Sequence, residues 1–271
     1  MTGKYTYARN FHPFFKVLLY IRYFFKLKIF TRQRYFFSGN DAIKRMDTRN
    51  AGSKTAGSPY DHAFTLACEV LRSADIEERA GKSGAFFEKE DDGRCLIKLT
   101  FLNQYCLIHF PDITVTYQSE GGEVPLWSRL VILHYLIQAQ GGPLAGEWIS
   151  FRQLSGGDMY YPAFDRRSQK PLLDFFAQRD DLFEEAGRAL GGTKAPAGDR
   201  GVIISALPKV PMAFLFWNGD EEFPPEARIL FDASLPAYLP TEDAVVLAQQ
   251  AAFRLIDRGR ELARKHGTIN Y

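Results

Sequence analysis

The sequence predicts an α+β fold, a single domain in which an antiparallel or mixed sheet is packed by helices and a long C-terminal helix closes the chain. Three observations predict it. Short strand-like runs separated by Asp-Gly, Leu-Asn and Pro-Asp turn signals fill 85–117, and further apolar runs occupy 201–231. The stretch between these blocks, 125–190, carries helical patterns and ends in a glycine stop. Beyond Thr241, the residues Val245, Ala248, Ala252, Leu255 and Ile256 recur at helical spacing.

Residues 60–79 place Phe64, Ala67, Cys68 and Leu71 at i, i+3, i+4 and i+7, the stripe of an amphipathic helix. Strands at 85–88, 94–101, 104–110 and 113–117 then form an antiparallel meander. Pairing Phe101 with Gln104 sets Cys106 opposite Leu99, so no bridge to Cys95 is expected. Pro125 opens a helix that is apolar nearly all round, as a central buried helix is. It contains His134, expected to be a hydrogen-bonded core residue because no second His or Cys stands at ligand spacing.

"GEWISFRQL" alternates as a half-buried strand, with Trp148, Ser150 and Arg152 on one side and Glu147, Ile149 and Phe151 on the other. A Gly156-Gly157-Asp158 turn leads into a helix that Asp158 caps and Pro171 kinks or divides. A short helix at 182–190 stops at Gly191-Gly192. Strands at 201–207 and 212–217 follow, and 227–231 reads as an edge strand because prolines precede it. Thr241 caps the last helix, and Glu242 and Asp243 meet its positive end.

The whole chain has 34 Lys and Arg against 32 Asp and Glu, but the charge is not evenly spread. Residues 1–45 hold ten basic residues and one acid, and the remainder is net acidic, so the main body repels nucleic acid. The basic, aromatic extension 1–45 has two readings: an interfacial helix at a membrane surface, or, the favoured one, a stretch ahead of a true start at Met46. Its longest uncharged apolar run, Val17 to Ile21, falls well short of the ~20 residues of a spanning helix. Residues 46–59 then read as a flexible leader and 60–271 as the single α+β domain. Three cysteines without a C-x-x-C pair exclude a cofactor bound through a cysteine motif and indicate a reducing cytoplasm.

No P-loop, dinucleotide fingerprint, nucleophile elbow or H-E-x-x-H motif occurs. The chemistry-bearing residues are instead aromatics mixed with arginines and acids. Glu147, Trp148, Arg152, Tyr160, Tyr161, Arg166 and Trp217 suit recognition of a flat ligand or partner with polar edges. In "FLFWNGDEEFPPEARILFD" an extended loop would project Asp220 and Glu222 to one side, where with Asp232 or Asp243 they could hold Mg²⁺ or Ca²⁺. The other reading of that loop is a solvated turn with ion pairs.

"GPLAGEWISFRQLSGGDMYYPAFDRR", "GDEEFPPEARILFD" and "YLPTEDAVVLA", in that order, resemble the core of a bacterial and archaeal family known as domain of unknown function three-seven-eight-six, over roughly 60–258. The resemblance carries no established activity. It implies a link to accessory proteins of anaerobic one-carbon metabolism, in which such a domain is joined to a cysteine-rich iron–sulfur module. This chain lacks four such cysteines. The resulting expectation is a cytoplasmic accessory binding module for a corrinoid or iron–sulfur partner. The alternative is a metal-dependent enzyme built on the acidic 220–222 loop.

Overall fold

The computed structural model describes residues 59–119 and 122–267, so the basic extension and all of the leader but Pro59 lie outside the described residues. The strand-forming residues collect into two antiparallel sheets. In the first, β1 (Phe86–Lys89), β2 (Cys95–Phe101), β3 (Gln104–Phe110) and β4 (Thr114–Tyr117) form a meander in chain order. Its register sets Phe101 against Gln104 and Leu99 against Cys106, as read from the sequence, and the three cysteines are free. Burial pushes the Cys106 thiol up to about 12 and the Cys68 thiol up as well, so neither is a ready nucleophile.

The second sheet has the order β5-β9-β8-β7-β6, formed by β5 (Trp148–Ser150), β6 (Thr193–Lys194), β7 (Arg200–Leu207), β8 (Val210–Trp217) and β9 (Glu226–Asp232). The segment expected at an edge is therefore interior, with β8 on one side and β5 on the other. Pro224 and Pro225 lie in the loop before β9 and cost its ladder no donor. The two sheets join where the Leu102 N–H donates to the Ala206 carbonyl, 2.9 Å away.

The first predicted helix is two, α1 (Pro59–Arg72) and α2 (Ile76–Ser83). Asp75 breaks it, because its carboxylate accepts the Glu78 N–H at 3.0 Å and so starts a new helix. The central helix α3 (Leu126–Gln138) is buried at every position from Leu130 to Ile137. Its Tyr135 hydroxyl donates to the Ser83 carbonyl and accepts the Lys209 N–H, tying α2 to the β7–β8 turn.

A longer helical run comprises α4 (Gly157–Phe164), a π turn (Asp165–Gln169) and α5 (Lys170–Phe176). Gly156, in the left-handed region at φ 75°, takes the N-cap position expected of Asp158, whose carboxylate turns to Arg152 instead. Pro171 does not sever the helix. A proline ring crowds the carbonyl four residues back, and here the turn before it is widened, with the Lys170 N–H reaching the Asp165 carbonyl five residues back.

After a short α6 (Phe183–Ala189), the chain ends its described part in α7 (Thr241–Lys265). Alternate residues of the strands, among them Ile97, Leu99, Phe101, Phe214, Phe216 and Phe231, share one core with α3, α5, α6 and α7. Fully burying a side chain such as Leu255 or Ile256 contributes roughly 1.5–3 kcal/mol. No helix among the described residues is long and apolar enough to cross a membrane.

Helix α6 lies so close to β7 that a Cβ at Gly187 would stand 2.4 Å from Val202 Cγ2 and 2.8 Å from its Cβ. Alanine would gain up to about 1 kcal/mol of helix propensity. The stiff β-branched Val202 cannot swing aside, so overpacking wins. Gly187→Ala is expected to destabilise by about 1–3 kcal/mol in urea unfolding, and Val202→Ala in the same chain to recover part of that loss.

Candidate functional site

Along β8 and β9 the alternation that sends Phe214, Phe216, Ile229 and Phe231 inward sends Leu215, Trp217, Glu226, Arg228 and Leu230 to the other face. There Ala195, Ala213 and Leu215 form a second apolar cluster, with Trp148, Trp217, Ile203 and Leu230 packed against it. The register sets Trp217 against Glu226 and Leu215 against Arg228. The Arg228 guanidinium lies 5.4 Å from the Trp217 ring centre and holds Glu226 with two hydrogen bonds, of 2.7 and 3.1 Å. The Glu226 carboxylate raises the pKa of Arg228, and the Tyr161 hydroxyl adds a smaller effect in the same direction.

Tyr161 is also covered by Arg152, whose guanidinium carbon is 3.7 Å from the ring centre. Strand β5 stops at Ser150 because the Gln153 side chain accepts both the Ser150 N–H and its hydroxyl, folding 151–153 into a 3₁₀ turn that carries Arg152. Arg152 in turn meets Asp158 at 3.0 Å. The result is two arginine–aromatic pairs, Arg228 with Trp217 on the outer face of the second sheet and Arg152 with Tyr161 where the 3₁₀ turn meets α4, with Tyr161 itself packed against the main core. Both arginines stay more than half exposed, so the single-contact pair of Arg152 with Asp158 contributes only about 0–1 kcal/mol.

Of the seven residues singled out from the sequence, Trp148 and Trp217 belong to this face, and Arg152 and Tyr161 form a second cation–aromatic pair beside it. Tyr160 does not; it is 2% exposed and its hydroxyl donates to Glu242 at 3.1 Å in the interior. Glu147 is exposed just ahead of β5, and Arg166 is exposed on the π turn. Arg228 and Glu226 were missed. Their signal was the period-2 alternation of "EARILFD", which sets both opposite the apolar Ala227, Ile229 and Phe231.

The acidic loop is a tight turn. Asp220 Oδ1 accepts the Glu222 and Phe223 N–H groups at 2.8 and 2.7 Å, and these two bonds, Phe223 first, hold its carboxyl below the usual range. Asp232 stands at the far end of β9, and Asp243 is buried elsewhere. Among the described residues no group of three or more His, Cys, Asp or Glu side chains is arranged to hold a metal ion.

Two further carboxylates explain how the face is positioned. Asp232 accepts the Ala145, Gly146 and Ser234 N–H groups and the Ser234 hydroxyl, at 2.6–2.9 Å, which pins the loop leading into Trp148. Burial alone would raise its pKa, but those four donors outweigh burial and hold it below the ordinary value. At the start of α7, Asp243 lies 2.7 Å from His134 Nδ1 with both side chains about 95% buried, and His134 Nε2 is buried without a partner among the described residues. Sequence spacing read Glu242 and Asp243 as dipole acids; tertiary packing makes them interior hydrogen-bond partners of Tyr160 and His134.

A protein-family model, Domain of unknown function (DUF3786), matches residues 75–254. The chain belongs to this family. No curated protein and no solved structure matches the chain. The matched stretch contains the whole cationic aromatic face, both interior carboxylates and the π turn, so these are features of the family domain as this chain builds it.

Because Asp232 is depressed, its stabilisation is complete above the unfolded value of about 3.9 and is lost as pH falls through the folded value. Asp232→Asn is expected to cost about 1–3 kcal/mol at pH 7 and to flatten the loss of stability as pH falls below about 4, both read by urea unfolding. Asp243→Ala leaves a buried imidazole nitrogen without its acceptor. It is expected to lower stability by about 1–3 kcal/mol, with His134→Ala added to it costing less than the two changes summed.

Proposed function

We propose that this protein is a cytoplasmic accessory binding module that recognises a cofactor-bearing partner, a corrinoid or iron–sulfur protein of anaerobic metabolism. The observation that carries this reading is the pair of exposed arginines stacked on Tyr161 and Trp217. Rigid aromatic rings supply contact area at low entropic cost, and planar guanidinium groups bind carboxylate or amide edges in two places at once. The exposed ion pairs to Asp158 and Glu226 leave both arginines within reach of an incoming acidic group. The partner class comes from the family resemblance, and the negative charge of the main body favours protein or cofactor over nucleic acid.

Calorimetry of the full chain with cobalamin, with a purified corrinoid protein and with a ferredoxin-type iron–sulfur protein tests this. One of the three is expected to bind, and Arg228→Ala and Trp217→Ala each to weaken it by about 30-fold, the loss that a central aromatic or arginine anchor gives. Binding by none of the three, or binding unchanged in both variants, would overturn the reading.

A further inference from the structure

A concavity of about 710 Å³ opens on the other sheet, where its outer face meets the end of β7 and the β7–β8 turn. That volume is in the range of roughly 300–1,000 Å³ that accommodates small organic ligands. It is preformed, since the Leu102–Ala206 backbone bond and the Tyr135 hydroxyl on Lys209 hold the two sheets and the turn together. Two of the large apolar side chains most exposed to water among the described residues, Phe86 at 60% and Tyr105 at 56%, border it.

The register explains the chemistry of its floor. Lys98 is paired with Phe86 on one side and with Leu107 on the other, so an ammonium stands in the middle of an apolar row. Its Nζ lies 4.4 Å from the Tyr105 ring centre, and among the described residues no carboxylate lies within 4 Å of it. A ring quadrupole attracts the ammonium without neutralising it. Among the described lining residues Glu88 is the acid; it faces Leu96 on the edge strand β1, where it would repel a second negative group.

We infer that this concavity is a binding site for a free acyl carboxylate of medium chain length, with its single carboxylate on Lys98 Nζ and its chain over Phe86, Leu96 and Leu107. One central cation calls for one anion, and the apolar lining calls for a hydrocarbon body. The site lies on a different sheet from the arginine face, and its occupancy does not depend on the proposed partner.

Titration of the full chain with 8-anilinonaphthalene-1-sulfonate, an apolar ring system bearing one anion, reads the site directly. The expected result is one dye molecule per chain, displaced by decanoate about tenfold more effectively than by decanol, since a carboxylate accepts a charge-assisted hydrogen bond from the ammonium that a hydroxyl does not match. Lys98→Met keeps the apolar length and is expected to remove that tenfold preference, Lys98→Arg to retain it, and Leu107→Trp to exclude the dye, all with unaltered thermal unfolding of the lysine variants. Equal displacement by decanol and decanoate, an unchanged preference in Lys98→Met, or no dye binding would overturn the inference.

Discussion

The backbone N–H of Ile229 needs a partner, and the way it finds one organises the candidate face. Strand β5 pairs with β9 only from Leu230 to Asp232, which leaves the earlier half of that edge open. Gln169 closes it: its carbonyl oxygen accepts the Ile229 N–H at 3.1 Å, while its amide donates to Tyr161 and Asp165. One side chain thereby fastens the long helical run to the sheet and holds the Tyr161 ring under Arg152. The π turn is what aims it, because the extra residue brings Ser168 and Gln169 inward together.

Interior and surface charges play different parts here. Asp232 and Asp243 are nearly without solvent contact and spend their oxygens on backbone, hydroxyl or imidazole donors, so they fix loops and helix ends. Glu226 and Asp158 hold their arginines at the surface, where solvent screens the pairing. Stability lies in the frame and accessibility at the face. The other sheet repeats the contrast, with an apolar inner face and an outer concavity in which Lys98, among the described residues, has no carboxylate partner.

Much of the first sheet was legible because strand alternation and two-residue turns are local signals. The Phe101–Gln104 pairing followed from Leu102 and Asn103 alone, and both adopt the positive φ that a tight hairpin requires. Boundaries governed by a side chain were harder to read. Asp75 divided a helix that apolar spacing ran straight through, and Gln153 ended a strand two residues before its alternation did. Of the site, Trp148, Arg152, Tyr161 and Trp217 were visible as residue types, whereas Arg228 was hidden in a strand read as an edge.

Periodicity, turn chemistry and the order of co-occurring blocks determined the α+β class, the meander, the buried central helix and the family, because each depends on residues close together in the chain. Which arginine stacks on which ring, and that β9 lies inside the sheet with Trp148 set beside Asp232, were decided only by tertiary structure. The reason is geometric: β9 is inserted between β5 and β8, and that insertion brings residues more than sixty positions apart into contact. Helix-dipole acids became interior partners of a histidine and a tyrosine for the same reason, since burial depends on what packs over a position and not on the spacing that put it there.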